Sequence, residues 1–266
     1  MQYKATLKKM LTEYGSPIQY YLETNSDYIN VNQLLDKNIS IEFDTYECLS
    51  CGLDKKIFRQ GHCYDCYMQS ANVGDWIMKP ELSKAHLEIE DRDLAYEKQV
   101  QLQPHIVYLA TSSNLKVGVT RKSQIPTRWI DQGASKAIAM LETPNRYLAG
   151  VAEVALKAYV SDKTSWQKML KNEVNNFDLL GEMHRLNQFL PNETQDFFLS
   201  QNTDIYQFDY PVLQYPKKIK SLNLQKTPFI QGKLKGIKGQ YLLFENGNVF
   251  NVRNNEGYVV HINIED

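Results

Sequence analysis

The fold of this chain is decided by the stretch PHIVYLATSSNLKVGVTRKSQIPTRWIDQGA (104–134), followed by TPNRYLAGVAEVALKAY (143–159) and TSWQKML (164–170). Two short apolar runs, 106–110 and 115–119, are joined by small polar residues, a pattern that predicts a β-hairpin. Pro126 suits the first turn of a short helix, and Gly133 suits its C-terminal end. A third apolar run, 137–141, predicts another strand.

Two further helices are predicted after this third strand. Thr143 and Pro144 are typical of an N-cap followed by proline at the first helical position, so a helix is expected to run from there to about residue 159. Asp162 or Thr164 is expected to cap the next helix. The predicted order is therefore strand, strand, helix, strand, helix, helix.

This order, with polar residues at the ends of the elements, resembles the GIY-YIG endonuclease superfamily. Tyr108 ends the first strand in IVY, Gly118 closes the KVG of the second strand, and Thr120 follows two residues later. Arg128 lies in the first helix and Glu153 in the second. The resemblance implies a three-stranded antiparallel sheet with helices, and a metal-dependent nuclease. Its candidate catalytic residues are Tyr108, Lys116, Arg121, Arg128 and Glu153.

The resemblance also implies a role for each candidate. Tyr108 would activate the attacking water, and because a phenol ordinarily has a pKa near ~10 it needs a cation such as Lys116 or Arg121 beside it. Arg128 would hold phosphate oxygens, and Glu153 would carry Mg²⁺ or Mn²⁺. The residues alone leave plainer alternatives open: Tyr108 can simply pack, and Glu153 can pair with a lysine four positions later.

Two departures from the superfamily pattern favour a second hypothesis. Gln132 stands where many members have histidine or tyrosine, and His105-Ile106 replaces the opening glycine. Lys116 stands in place of the second tyrosine, as in the KIG branch of the superfamily. The alternative function is therefore a zinc-containing protein that binds nucleic acid on this fold without cleaving it. A third hypothesis is a protein-interaction module.

Four cysteines are arranged as two close pairs, C-x2-C, eleven residues, C-x2-C. Four thiolates at this spacing can close a tetrahedral zinc site, and no coordination position is left open for a substrate, so the expected metal is structural Zn²⁺. Gly52 after the first pair permits the tight turn of a zinc knuckle. The predicted ligands are Cys48, Cys51, Cys63 and Cys66.

Both ends of the chain are rich in β-branched and aromatic residues, which predicts strands. We expect an α+β protein divided into a β-rich segment (1–47), a zinc-knuckle or ribbon module with its linker (48–103), a GIY-YIG-like domain (104–175), a helical connector (176–209) and a small, barrel-like β domain (210–266). The N-terminal strands are candidates to join the C-terminal sheet. Candidate nucleic-acid contacts are Arg146, Lys233, Lys235 and Lys238.

Nearly the whole chain resembles the domain-of-unknown-function family twenty-seven ninety-seven. The resemblance rests on CYDCY (63–67), VYLATSSNLKVGVTR (107–121), PTRWIDQGA (126–134), NRYLAG (145–150) and KGIKGQYLLF (235–244). It implies a family and no biochemical activity.

Charge is unevenly distributed along these 266 residues, although the net charge is only −1. Residues 104–170 contain nine Lys/Arg against four Asp/Glu, and residues 211–253 contain eight against one. Two basic segments keep nucleic acid as the expected partner, whereas a general polyanion binder is disfavoured. The chain contains no apolar run long enough for a membrane span and no signal-peptide pattern at its start, so a cytoplasmic location is expected.

Overall fold

A computed structural model describes residues 1–160 and 164–265 as a mixed α+β protein with several sheets. The strands are β1 (Gln2–Thr6), β2 (Leu11–Glu13), β3 (Gln19–Glu23), β4 (Tyr28–Asn30), β5 (Asn38–Tyr46), β6 (Ile57–Arg59), β7 (His62–Cys63), β8 (His105–Thr111), β9 (Leu115–Arg121), β10 (Lys136–Thr143), β11 (Tyr206–Gln207), β12 (Lys220–Leu222), β13 (Phe229–Lys238), β14 (Tyr241–Phe244), β15 (Asn248–Asn251) and β16 (Tyr258–Glu265). The helices are α1 (Tyr64–Gln69), α2 (Asp75–Met78), α3 (Leu94–Gln101), α4 (Thr127–Asp131), α5 (Arg146–Lys157), α6 (Trp166–Leu170), α7 (Leu179–Asn187) and α8 (Asn192–Gln195).

The largest sheet joins the two ends of the chain. Its seven strands lie in the order β1-β16-β5-β13-β14-β15-β12, and all neighbours are antiparallel except β12 and β15. The expectation that N-terminal strands join the C-terminal ones is therefore confirmed for β1 and β5. Strands β2, β3 and β4 form a separate three-stranded sheet, and β6 and β7 form a two-stranded hairpin.

The central sheet has the order β11-β10-β8-β9, so the predicted hairpin and third strand are confirmed. A fourth strand, β11, pairs with the edge of β10; the sequence analysis placed it in a helical connector. Every residue of β8 is buried. Ile106, Tyr108 and Ala110 belong to the core shared with the large sheet, whereas Val107 and Leu109 pack with α5 and α7.

The helix after β10 begins later than predicted. Thr143 pairs with His105 as the last residue of β10, so it is not free to cap a helix. Asn145 is the N-cap, and its side-chain oxygen accepts a hydrogen bond from the backbone N–H of Leu148 at 3.0 Å. Ser165 caps α6 in place of the predicted Thr164. Asp162, the other predicted cap, lies outside the described residues.

The linker between the cysteine module and the central sheet is held against α5. A 3₁₀ turn, Pro80–Leu82, lies directly over Gly150 of that helix. A Cβ atom built at Gly150 would lie 2.2 Å from the backbone nitrogen of Glu81. The glycine therefore allows two backbones to approach more closely than any larger residue would permit.

In the described part of the chain, none of the helices is both long enough and apolar enough to span a bilayer.

Gly150→Ala tests the contact between the linker and α5. Alanine inside a helix ordinarily stabilises by about 1 kcal/mol relative to glycine. Here the added methyl group meets backbone atoms, so we expect a loss of about 1–3 kcal/mol in the free energy of unfolding, as for overpacked cores. Denaturant unfolding measures it.

Gly15→Ala is the matched control, because its Cβ would meet nothing closer than the carbonyl oxygen of Pro17 at 3.4 Å. Its free energy of unfolding should stay within about 0.5 kcal/mol of wild type. A higher free energy of unfolding for Gly150→Ala than for the wild type would contradict the close approach of the linker to α5.

Candidate functional site

A cleft of about 1040 Å³ lies where three distant parts of the chain meet. One wall is the central sheet with α4 and α5, a second is the β6–β7 hairpin of the cysteine module, and a third is the loop between β15 and β16. Among the described lining residues, seven are basic and two are acidic, Glu153 and Glu256. The basic ones are Arg59, Lys116, Arg121, Arg128, Arg146, Lys157 and Arg253. Such an excess of positive charge attracts an anionic ligand.

All five predicted catalytic residues line this cleft. Lys116 and Arg121 come from β9, and Arg128 comes from α4. Tyr108 comes from the middle of β8 and Glu153 from α5. The cleft therefore brings together side chains that are up to 45 positions apart in sequence.

Tyr108 is 1% exposed, and its position depends on Gly118 opposite it on β9. A Cβ atom at Gly118 would lie 2.6 Å from the Tyr108 hydroxyl oxygen. The ring also meets the indole of Trp129 edge to face, with centroids 5.6 Å apart. The KVG sequence has a glycine at this position because the phenol occupies the space that a side chain would need.

Gln132 connects two of the candidates. Its side-chain oxygen accepts a hydrogen bond from the Tyr108 hydroxyl at 3.1 Å, and it also accepts one from the Lys116 amine. An amide oxygen can accept from two donors but cannot take up a proton at neutral pH. Gln132 therefore orients the phenol and the amine towards each other without acting as a base.

Burial controls the ionisation of Tyr108. Desolvation raises the pKa of the phenol above its usual value, and the Arg128 guanidinium, which lies beside it, opposes this rise. The cation that lowers this pKa is Arg128, whereas the sequence analysis expected Lys116 or Arg121 in that place, and its effect is smaller than that of burial. Tyr108 is consequently a neutral phenol at physiological pH.

Glu153 is 7% exposed and lies 3.4 Å from the Lys157 amine, the i,i+4 pair expected as its plainer alternative. Burial raises the pKa of its carboxyl group, while Lys157 and then Arg146 lower it. The carboxylate is close enough to Tyr108 to raise the pKa of that phenol. Glu153 and Tyr108 both line the cleft.

Arg146 holds the linker as well as lining the cleft. Its guanidinium donates hydrogen bonds to the backbone oxygens of Trp76, at 3.1 Å, and Ile77, at 2.7 Å. Its central carbon also lies 5.5 Å from the centre of the Trp76 ring. Burial lowers the pKa of this guanidinium to about 10. These two bonds use two of the five N–H donors of the guanidinium, which leaves less of it for a phosphate than the sequence analysis expected.

The three C-terminal lysines are not among the described residues that line the cleft. Lys233 and Lys235 pair with Asp36, at 3.4 and 2.5 Å, and Lys235 also pairs with Glu245. Lys238 is 1% exposed, donates to Asn172 at 2.9 Å and lies over the rings of Tyr210 and Tyr215. The prediction that Lys238 offers its charge to nucleic acid is therefore wrong, because the amine is buried inside the protein.

The four cysteines form one cluster in which all sulfur atoms lie within 4.8 Å of one another. A tetrahedral site with metal–sulfur bonds near ~2.3 Å needs sulfur separations of about 3.8 Å, so the cluster fits a four-thiolate metal site. Burial opposes ionisation of Cys48, but hydrogen bonds from the backbone N–H groups of Cys51, Cys63 and Ser50 lower the pKa of its thiol to about 5. The thiol is therefore ionised at neutral pH, and the thiolate is the form that binds a metal cation.

The turn after the first cysteine pair has the conformation that its glycine permits. Gly52 follows the first pair with φ +68°, the left-handed conformation that glycine adopts without strain. His62 lies beside Cys63 but is not part of the cluster. The cluster can therefore hold a metal ion with its four sulfur atoms alone.

Two cleft residues were missed by sequence analysis, Phe58 and Arg59 of the β6–β7 hairpin. They lie between the two cysteine pairs, whose spacing indicates a metal site but not a cleft. Arg253, from the turn before β16, also lines the cleft and belongs to the basic segment 211–253 that the charge pattern indicated. Only the packing of the hairpin and the turn against the central sheet brings them to the cleft.

Fold and site thus define an α+β protein with a four-cysteine cluster beside a basic cleft. The chain belongs to the family described as "Protein of unknown function (DUF2797)", whose model matches residues 36–260. This range contains the four cysteines and all five predicted catalytic residues. Comparison with curated proteins finds no match, and comparison with solved structures finds none either.

The cysteine cluster predicts about one tightly bound metal ion per chain. Elemental analysis of the purified protein measures the ratio and identifies the ion. Cys63→Ser, which removes a ligand that is 2% exposed, should lower the ratio to near zero and destabilise the protein. His62→Gln should keep the full ratio, because the imidazole is outside the cluster. Equal loss of metal from both variants would contradict a site made of four thiolates.

Because its amine is buried, Lys238 should make the free energy of unfolding depend on pH. Burial lowers the pKa of its amine from 10.5 to about 8, so between these values the unfolded state binds more protons than the folded state. The free energy of unfolding should therefore rise with pH in this window, by about 2 kcal/mol between pH 8 and 10. Other groups titrate in both proteins, so the comparison with Lys238→Met isolates this contribution. Parallel pH curves for the two proteins would show that the buried amine does not titrate there.

Proposed function

We propose that the protein is a metal-dependent nuclease that cleaves phosphodiester bonds of nucleic acid bound in the cleft. One observation carries the proposal: a phenol, a guanidinium and a carboxylate from three separate elements, Tyr108, Arg128 and Glu153, line one strongly basic cleft. The order of β8, β9, α4, β10 and α5 resembles the GIY-YIG endonuclease superfamily. On this proposal the central sheet is such a domain with β11 added, and the last strands form a small curled sheet beside it.

The basic residues have a direct role in binding. A nucleic-acid backbone carries one negative charge per phosphate, and neutralising it with Lys and Arg releases bound counterions. The net charge of the whole chain is −1, so the attraction must be local to the cleft. Affinity for nucleic acid should therefore fall steeply with salt.

Arg128 is assigned to the scissile phosphate. It lies beside the Tyr108 phenol, and its planar guanidinium can hold two phosphate oxygens at once. Negative charge increases on these oxygens when water attacks phosphorus, so the same contact stabilises the transition state more than the ground state. Lys116 and Arg121, both on β9, extend the positive surface along the strand.

Tyr108 is assigned to the attacking water. Because its phenol stays protonated, it positions the water by hydrogen bonding, with Gln132 fixing the hydroxyl direction. The water oxygen forms the new bond to phosphorus and releases one proton to solvent, while the bond to the leaving oxygen breaks and that oxygen takes up one proton from solvent.

Glu153 is assigned to a divalent cation. A single carboxylate can hold Mg²⁺ or Mn²⁺ together with water and substrate phosphate. Such a cation, when bound, would stabilise the charge on the leaving oxygen. Glu153 would exchange its pair with Lys157 for this role, and the released amine would then face the bound phosphates. The cysteine cluster is proposed to hold structural Zn²⁺, away from the chemistry.

A second function is favoured by Gln132. Its carboxamide accepts from both the Tyr108 hydroxyl and the Lys116 amine, an arrangement that stabilises these groups with no catalytic step. On this reading the cleft binds nucleic acid without cleaving it. Cleavage and binding must therefore be measured separately.

Glu153→Gln tests the nuclease directly. The change keeps the side-chain shape but removes the charge that holds the cation. Incubation with DNA and RNA and added Mg²⁺ or Mn²⁺ should show cleavage by the wild type. The variant should lose at least about 10²-fold of it, because a catalytic cation contributes several kcal/mol. Binding should be retained.

Glu182→Gln is the matched control, since Glu182 also pairs with a cation on its own helix, Arg185 at 2.8 Å, and is outside the cleft. Its activity should equal that of the wild type. Salt-sensitive binding without cleavage by any of the proteins would support the second function. Absence of both binding and cleavage would overturn both and leave a protein-interaction role.

A further inference from the structure

The wall of the cleft formed by the β6–β7 hairpin carries an exposed aromatic side chain. Phe58 lines the cleft and is 46% exposed. Its ring is supported from behind by Tyr64 and Tyr67 of α1, at centroid distances of 5.2 and 5.3 Å and steep interplanar angles. Edge-to-face contacts of this kind help to hold a ring in place.

The Arg59 guanidinium lies over the Phe58 ring. The central carbon of Arg59 lies 5.4 Å from the centre of the Phe58 ring, and Arg59 also lines the cleft. Arginine planes and aromatic rings are the two kinds of side chain on which unpaired bases stack. The pair therefore offers stacking and phosphate contact within one hairpin.

The hairpin is held at both of its sides. Ile57 pairs with Cys63, a member of the metal cluster, across the hairpin. On the other side, Ile57 packs onto Gly257 of the β15–β16 loop so closely that a Cβ there would lie 2.6 Å from the Ile57 side chain. Phe58 is therefore presented by a rigid support, which lowers the entropic cost of stacking a base on it.

Neutral amide side chains also line the cleft, and three of them are exposed: Asn223, Gln225 and Asn254. Amide side chains both donate and accept hydrogen bonds, as base edges do. A duplex keeps its bases stacked and its pairing edges occupied, whereas a single strand can present both a base face and a base edge.

We propose that the β6–β7 hairpin is a base-stacking platform and that the cleft takes single-stranded nucleic acid, with one unpaired base on Phe58. The inference rests on the proposed nucleic-acid function and specifies its substrate class. DNA and RNA both offer bases that stack and phosphates that accept contacts from basic residues. Both are therefore arms of the test.

Binding without added divalent cation separates this inference from the nuclease chemistry. Fluorescence anisotropy with a labelled single-stranded DNA, the same RNA sequence and the corresponding DNA duplex should give tighter binding of a single strand than of the duplex. Phe58→Ala should weaken single-strand binding by about 5- to 150-fold, the range for loss of one base-stacking contact, and leave duplex binding unchanged.

Two variants control the result. Phe229→Ala removes a phenylalanine of matched exposure, 47%, which is outside the cleft, and should bind as the wild type does. Phe58→Trp should retain binding, and its added indole fluorescence should be quenched by a single strand. The metal content of each variant shows whether the cysteine module is intact.

Four outcomes overturn the inference. Equal weakening of single-strand and duplex binding by Phe58→Ala would mean that the change only displaces the wall. No weakening at all would mean that no base stacks there. If the wild type binds the duplex and not the single strands, the substrate class is wrong while the nuclease proposal stands; if it binds none of the three, the nucleic-acid function itself fails.

Discussion

The burial of strand β8 on both faces is the constraint on which the site depends. Val107 and Leu109 pack beneath α5 and α7, while Ile106, Tyr108 and Ala110 face the core that the large sheet shares. A strand held in this way cannot shift along its neighbours without exposing apolar side chains on one face or the other. The register that places Tyr108 opposite Gly118 is therefore fixed by the whole core, and so is the point at which the phenol reaches the cleft.

The same burial determines the electrostatics of the cleft. Tyr108, Glu153 and Arg146 all have pKa values shifted towards their neutral forms, with desolvation as the largest cause in each case. Nearby opposite charges reduce these shifts for Tyr108 and Glu153 but do not reverse them. In so desolvated a setting, charges on a bound phosphate would interact more strongly with the cleft than with a solvated surface. A chain of net charge −1 can thus carry a site suited to polyanions.

The cleft is assembled from modules that are separate in sequence. The cysteine cluster supports the β6–β7 hairpin, the linker after it is fastened to α5 by Arg146 and by the close approach at Gly150, and the β15–β16 loop meets the hairpin at Gly257. A metal ion bound in the cluster would therefore affect the shape of the cleft as well as the stability of its own module.

Local patterns in the sequence were sufficient for the hairpin of β8 and β9, for the short helix α4 that Gly133 follows, for the helix that carries Glu153, and for the cysteine cluster. Each depends on neighbours within about twenty positions, where periodicity, turn residues and ligand spacing are informative. The N-cap was misplaced by two residues because Thr143 is drawn into a strand by pairing with His105, a tertiary contact. Burial of Lys238, the engagement of Arg146 with the linker and the arrival of Phe58, Arg59 and Arg253 at the cleft were decided by the tertiary structure alone. The physical reason is the same in each case: exposure and charge environment are properties of what packs around a side chain, and that packing comes from other segments of the chain.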